Sequence, residues 1–192
     1  IAAERENIEP ILLINKIDLD KKNKKQDKIK SIYEPLGYNI FFISAVNNTG
    51  MSELKRFIKA KTIILSGHSG VGKSSIINSI MEKDILKVAN TSNSHNKGKH
   101  TTTNSELIKL PDGGYVIDTP GAKLFGIYRI DKDEIKHYYK EFSAYVNECK
   151  FKSCTHTHEP DCAVKDAVEN GKINKERYEN YLNIYNRPSS KY

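Results

Sequence analysis

The 192-residue sequence predicts an α/β fold with a mostly parallel sheet, followed by a small C-terminal helical domain that binds a metal. Three observations carry that expectation. Short, continuously apolar runs alternate with helix-periodic segments over the first two thirds of the chain. The connections between them are short. All three cysteines lie between Cys149 and Cys162, with histidines among them. A four-residue apolar run without alternation is the pattern of a strand buried on both faces, as in parallel sheets. Strand and helix in alternation build such a sheet with helices laid on it.

Residues 1–8 read as the end of a helix, stopped at Glu9-Pro10 because a residue before proline is pushed out of the helical region. Ile11 to Ile14 is the first apolar run. Lys21 to Lys30 holds six lysines and reads as a solvated loop leading into a helix. Ile40 to Ile43 is the second strand. Ser52 to Lys59 is a short helix with Leu54, Phe57 and Ile58 at helical spacing. Thr62 to Leu65 is the third strand and Ser74 to Met81 the next helix, followed by a polar loop over Asn90 to His100. Glu106 to Leu110, the turn Pro111-Asp112-Gly113-Gly114 and Tyr115 to Ile117 read as a hairpin. Helices follow around 131–147 and 160–185.

Composition excludes several classes. Hydrophobic residues are 38% and charged residues 29%. No apolar run approaches the ~20 residues of a membrane-spanning helix, and apolar residues are too frequent for wholesale disorder. Three clustered cysteines are not a disulfide framework; they point to a metal in a reducing compartment, the cytoplasm. The start of the chain has no signal-peptide apolar core and no initiating Met, so the chain is expected to be a piece of something longer. Residues 1–130 hold 20 basic and 13 acidic residues and residues 131–192 hold 11 of each, so the whole net charge of +7 lies in the first part. A codon bias toward Lys and Asn explains such an excess; so does a phosphate-bearing partner such as nucleic acid.

The strongest motif is Gly67-His68-Ser69-Gly70-Val71-Gly72-Lys73-Ser74, a full G-x-x-x-x-G-K-[ST] after a strand and before an apolar-periodic helix. Glycines let consecutive backbone N–H groups wrap a phosphate, and the helix beginning near Ser74 and Ser75 adds its positive end. Lys73 is placed to reach the β- and γ-phosphates, and the Ser74 hydroxyl to bind Mg²⁺. Asp118-Thr119-Pro120-Gly121 follows a strand. There Asp118 is suited to hold Mg²⁺ through water and Gly121 to offer an N–H to the γ-phosphate. Thr101-Thr102-Thr103 lies between. One of these threonines, Thr102 among them, is suited to complete the Mg²⁺ shell, and the sequence leaves open which.

A phosphate loop does not choose between ATP and GTP. Asn15-Lys16-Ile17-Asp18 does, because the Asp18 carboxylate can accept both N–H groups on the guanine edge. The Asn15 amide can accompany it and the Lys16 stem can cover the base face. Ser44-Ala45 ends the next strand, where a backbone N–H could reach guanine O6. The order is unusual: the base readers precede the phosphate loop. A site assembled at the carboxyl ends of strands depends on adjacency in space rather than order in the chain, so this is the pattern of a circular permutation.

These residues resemble the circularly permuted, ribosome-small-subunit-dependent GTPases of the RsgA family. The order N-K-I-D, S-A, G-H-S-G-V-G-K-S, T-T-T, D-T-P-G carries the resemblance. The tail Cys149-x4-Cys154-x-His156-x5-Cys162 adds to it, as do Phe125-Gly126, Ala163-Val164, and Arg177-Tyr178 with Tyr181. Three thiolates and one imidazole close a tetrahedral zinc site of the structural kind. On spacing alone His156 and His158 are hard to separate, and the family pattern favours His156. The resemblance implies a circularly permuted P-loop GTPase domain over 1–130 and a helical zinc-binding domain over 131–192. It also implies an N-terminal OB-fold and a preceding strand outside this chain. It implies nucleotide held by Asn15, Lys16, Asp18, Ser44, Ala45 and the loop Gly67 to Ser75, with GTP or GDP, Mg²⁺ and one structural Zn²⁺. The partner implied is the small ribosomal subunit with its rRNA, and the chain is expected to be a monomer that does not bind membranes. Ala122 stands where Ras-like proteins orient water with glutamine, and the resemblance suggests His100 for that task. The competing reading is an RNA-binding zinc module that uses the nucleotide only as a conformational ligand.

Overall fold

The computed structural model describes residues 1–86, 106–118 and 130–187. These fall into two compact units. Of the described residues, 11–30, 39–86 and 106–118 form one, and 1–10, 31–38 and 130–187 the other.

In the first unit β1 (Ile11–Ile14) and β2 (Asn39–Phe42) pair in parallel, with Leu12 opposite Ile40 and Ile14 opposite Phe42. β3 (Thr62–Ile64) runs parallel to β5 (Tyr115–Asp118), which pairs antiparallel with β4 (Glu106–Lys109), giving the order β3-β5-β4. The expected hairpin thus supplies an antiparallel edge to a parallel pair. The β1 run is half-buried throughout rather than fully buried. Ile11 and Leu13 pack on the core, which places Leu12 and Ile14 on the opposite face by the two-residue period of a strand.

That core is made by one stripe of each of two helices. Helix α3 (Met51–Ile58) buries Met51, Leu54 and Ile58, and helix α4 (Lys73–Met81) buries Ile76, Ile77 and Ile80. They meet Phe41, Ile43, Leu110 and Val116. Ile43, Ile77 and Val116 are fully buried, each contributing about 1.5–3 kcal/mol of hydrophobic stabilisation.

The lysine-rich stretch is not the loop expected. Helix α2 (Lys24–Tyr33) begins inside it. Asp20 Oδ2 accepts from the Lys25 and Gln26 N–H groups at 3.0 and 3.2 Å. This satisfies first-turn donors that a helix leaves open, and lysine is a good helix former.

In the second unit the segment 131–147 is not one helix. It comprises 3₁₀ turns at Lys132–Tyr138, Lys140–Phe142 and Val146–Glu148. Tyr139 is extended between the first two (φ −99°, ψ 98°). Its ring is buried and lies 5.1 Å from that of Phe142. The expected helix over 160–185 is likewise divided, into α5 (Ala163–Glu169) and α6 (Lys175–Tyr185). Gly171 turns the chain in left-handed conformation (φ 69°) and the Asn174 side chain caps α6 at the Arg177 N–H.

The units cut the chain differently from the expected division after residue 130, because charged and aromatic groups draw 1–10 and 31–38 to the C-terminal part. Helix α1 (Ala2–Arg5) brings Glu4 to Lys140 at 3.1 Å, and the Lys140 ammonium lies 4.3 Å from the Tyr38 ring centre. Arg177 donates to Glu141 through both Nε (2.7 Å) and Nη2 (3.1 Å). Its guanidinium lies over the rings of Tyr139 and Tyr33 at 4.9 and 5.3 Å. Removing one partner of such a largely buried pair strands a charge, at a cost of about 3–5 kcal/mol.

The β4–β5 turn docks on the entry to β3. Tyr115 N–H donates to the Lys61 carbonyl at 3.0 Å and Ala60 N–H to the Gly113 carbonyl at 3.2 Å. Gly114 (φ 83°) sits where a Cβ would strike the Lys61 backbone, whereas a Cβ on Gly70 (φ 81°) would meet open space. Gly70→Ala should therefore cost only the left-handed penalty, about 1–2 kcal/mol. Gly114→Ala should lose at least about 1 kcal/mol more, since the neighbour is backbone and cannot swing away. Urea unfolding of both variants measures the difference.

Candidate functional site

The phosphate loop and the end of β1 are joined by side chains. Gly70 and Gly72 are left-handed (φ 81° and 96°), and α4 starts at Lys73 with Gly72 as its N-cap and no side-chain cap bond. The first intrahelical donor is Ile76 N–H, to the Gly72 carbonyl at 2.9 Å. The N–H groups of Lys73, Ser74 and Ser75 therefore lie in the uncapped first turn, which suits an anion. The Lys73 ammonium folds over the loop, donating to the carbonyls of Gly67 at 2.6 Å and His68 at 3.0 Å.

Asn15 and Lys16 reach this loop directly. The Asn15 Nδ2 donates to the Val71 carbonyl at 3.0 Å, while its Oδ1 accepts from the Ala45 N–H at 3.1 Å. One carboxamide thus ties the end of β1 to the segment after β2 and to the phosphate loop. Gly72 is glycine for a second reason, since a Cβ there would collide with Asn15 Nδ2. The Lys16 ammonium donates to the Gly70 carbonyl at 2.7 Å. Lys16 itself is left-handed (φ 66°), a strain of about 1–2 kcal/mol that persists where the surroundings over-determine it.

Both ends of the Asn15 amide are engaged within the protein. The Ser44 and Ala45 N–H groups are engaged too, Ser44 with the Thr49 carbonyl at 3.0 Å. Asp18 lies in a 3₁₀ turn (Ile17–Leu19) directly after Lys16 and is exposed. Val71 and His68 are exposed on the loop. Asp118 ends β5, parallel to the strand that enters the phosphate loop. His100, Thr101, Thr102, Thr103, Gly121 and Ala122 lie outside the described residues, as do Thr119, Pro120, Phe125 and Gly126.

In the second unit Cys149, Cys154, His156 and Cys162 converge, with one ligand atom from each within 4.8 Å of all the others. His156 Nδ1 lies 3.6 Å from the Cys149 sulfur and 3.4 Å from that of Cys162, and these two sulfurs are 4.0 Å apart. A tetrahedral zinc with ordinary bond lengths needs edges of about 3.8 Å between sulfurs and about 3.6 Å from sulfur to nitrogen. The residues fit such an ion. Burial pushes the Cys154 thiol up to about 12 and His156 down to about 4. The pocket thus resists thiolates and imidazolium alike until a cation balances them. His158 is exposed, with its ring at 2.9 Å from the Thr157 hydroxyl. The choice between the two histidines therefore falls on His156.

Sequence reasoning gave no role to the groups that hold this cluster. Lys136 donates to the Cys154 carbonyl at 2.9 Å, and the Tyr178 hydroxyl to the His156 carbonyl at 2.7 Å. The Tyr181 hydroxyl donates to the Thr155 carbonyl. The three-residue spacing of Tyr178 and Tyr181 was a legible sign that both face one side of a helix. Glu159 carried no such sign. Burial opposes its charge, but hydrogen bonds from Thr155 and Thr157 overcome that and hold the carboxyl down at about 2.

A phosphate loop, an N-K-x-D segment bound to it from an earlier strand, and a parallel pair behind them define a P-loop nucleotide-binding protein in permuted order. The chain belongs to the RsgA GTPase family, whose model matches residues 1–128. It is 45% identical over 184 residues to the small ribosomal subunit biogenesis GTPase RsgA of Phocaeicola vulgatus, spanning 95% of this chain and 59% of that one. It is 42% identical over 191 residues to the protein of the same name from Clostridium kluyveri, covering 100% of this chain and 66% of that one. The chain thus spans about six-tenths of the length of these relatives. Among solved structures, YjeQ from Thermotoga maritima is similar with a TM-score of 0.80 and 40% identity, covering 97% of this chain and 63% of that one. YloQ, described as a circularly permuted GTPase, has a TM-score of 0.72 and 28% identity over 93% of this chain and 56% of that one. Among the described residues no helix is long and apolar enough to cross a membrane.

Asn15→Ala removes the partner of one buried-side N–H and one loop carbonyl at once. It should destabilise the first unit by about 1–3 kcal/mol. It should also speed amide exchange at Ala45 relative to Ile43, whose N–H is bonded to the Ile14 carbonyl. Hydrogen-exchange mass spectrometry of the 39–50 segment reads the change.

Proposed function

We propose that this chain binds GTP and hydrolyses it to GDP and phosphate. In this reading the activity serves late maturation of the small ribosomal subunit, and the subunit with its rRNA activates turnover. The protein acts as a cytoplasmic monomer. The observation that supports the reading is the bonding of Asn15 and Lys16 to the phosphate loop, with Asp18 exposed two residues further on, although the two motifs stand in reversed order. Relatives named small ribosomal subunit biogenesis GTPase support the biological setting.

In this reading residues 1–130 carry the nucleotide chemistry and residues 131–192 the metal. The Asp18 carboxylate accepts N1–H and N2–H of guanine, with Ser44 and Ala45 lining the base. The loop Gly67 to Ser75 surrounds the phosphates, and the Lys73 ammonium leaves its carbonyl partners to meet the β- and γ-oxygens. Ser74, Asp118 and a threonine such as Thr102 would hold Mg²⁺, which neutralises charge between the phosphates. Gly121 donates its N–H to the γ-phosphate. Ala122 cannot orient water, and His100 takes that task. Cys149, Cys154, His156 and Cys162 hold one zinc, with no position open for chemistry.

The alternative of an RNA-binding zinc module, with nucleotide only as a conformational ligand, differs in one measurement. GTP turnover should rise when purified small subunits are added; absence of turnover with and without subunits would leave the binding-module reading. Asp18→Asn should weaken GTP roughly 100-fold, the loss of a bidentate charged pair, and should relatively favour xanthosine nucleotides. Equal GTP affinity in variant and parent would remove the guanine assignment.

Metal analysis should find about one zinc per chain. Chelation should melt the 131–192 part first, because metal binding and folding share one free energy. Thermal melts monitored separately for each unit, with and without chelator, test the order.

A further inference from the structure

Glu159 stands three residues beyond His156 and is not itself one of the four converging groups. Its carboxylate gathers donors from the loop that carries His156. Oε1 accepts from the Thr155 backbone N–H at 2.7 Å and from the Thr155 hydroxyl at 2.6 Å. Oε2 accepts from the N–H groups of Thr157 at 3.0 Å and His158 at 3.2 Å. The backbone on both sides of His156 is therefore fastened to one rigid planar group.

That fastening answers a need of the chain. His156 is left-handed (φ 58°) and so is Asp161 (φ 52°), just before Cys162. Residues with a Cβ avoid this conformation, so the eight-residue step from Cys154 to Cys162 does not take its path on local preference. Tyr178 holds the His156 carbonyl from outside and Lys165 holds the Glu159 carbonyl at 2.8 Å. Among the described residues, only the Glu159 carboxylate reaches Thr155, Thr157 and His158 together.

Charge gives Glu159 no reason to be there. Three thiolates against one divalent cation already leave a negative centre, and another carboxylate nearby opposes it. With its oxygens filled by four donors, the group acts through geometry. We propose that Glu159 is the positioning residue of the metal centre: its carboxylate sets the turn that aims His156 Nδ1 at the three sulfurs, so the ion meets a preformed fourth ligand. This rests on the reading of Cys149, Cys154, His156 and Cys162 as a zinc site.

The test uses the full 192-residue chain, with zinc and cobalt as probes. Glu159→Gln keeps the shape but converts one acceptor oxygen into a donor facing donors. It should still bind one zinc, yet release it to excess chelator about 10- to 100-fold faster than the parent, the usual scale for partners behind a metal ligand. The ligand-field bands of its cobalt form should shift, which a merely weakened fold would not cause. Thr155→Val, which removes one hydroxyl donor, should show a smaller acceleration, and Thr155→Ser should release zinc at the parent rate. This pair keeps the test decisive if Glu159→Gln does not fold. A parent that takes up neither zinc nor cobalt overturns the zinc reading, and the positioning role with it. A parent that loads one ion, while Glu159→Gln and Thr155→Val match it in release rate and cobalt spectrum, overturns the positioning role alone.

Discussion

A single carboxamide holds the nucleotide side of this protein together. Asn15 gives its nitrogen to the phosphate loop and its oxygen to the segment after β2. Three separate stretches of chain thereby share one fixed point. The left-handed Lys16 follows from this, because its ammonium must turn back to the Gly70 carbonyl while the next residues carry Asp18 outward. The glycine at 72 follows as well, since any larger residue would expel the Asn15 side chain. A motif usually described by what it reads on a base is here, first, a brace between loops.

The second unit solves a different problem. Much of its described chain is short 3₁₀ turns and brief helices, which bring few hydrogen bonds of their own. It relies on a cluster of rings around Phe142 and Tyr181 and on the Arg177–Glu141 pair. Beside the rings lie three sulfurs and an imidazole, and burial disfavours the charged forms of Cys154, Cys162 and His156. A small unit with so little regular structure commonly needs a cross-link or an ion to fix its chain, and the spacing of the four groups suits an ion.

Much of this was legible in the sequence. The strands Ile11–Ile14 and Thr62–Ile64, helices α3 and α4 and the β4–β5 hairpin follow from apolar runs, spacing and a Gly-Gly turn. The phosphate loop and the four converging Cys and His positions were visible as residue types at fixed spacing. The misread segments are those where tertiary contacts outrank local pattern. Lys24 to Lys30 is helical although its charges suggested a loop, because Asp20 supplies the missing acceptor at its start. Tyr139 interrupts what looks like a continuous helix, and its ring is buried against that of Phe142. Arg177 binding Glu141 across 36 residues leaves no trace in either neighbourhood. Nor does the company that Glu159 keeps, since a glutamate in a polar turn is ordinarily a solvated one.

The reversed order of the motifs has a thermodynamic side. Asn15 meets Val71 across 56 residues, and Lys16 meets Gly70 across 54. Closing a loop costs an entropy that grows only with the logarithm of its length, about 0.6 kcal/mol for each doubling. Moving a base-reading segment from one side of a phosphate loop to the other therefore changes the closure cost little, provided the intervening chain is of similar length. What must survive is the set of endpoints: an amide that reaches two loops, an ammonium that reaches a second carbonyl of the phosphate loop, and a glycine that leaves room. Those are properties of side chains at strand ends, indifferent to which end of the chain the strand came from. For the same reason, permutation can leave a site of this kind intact while moving its termini, the places where further domains attach.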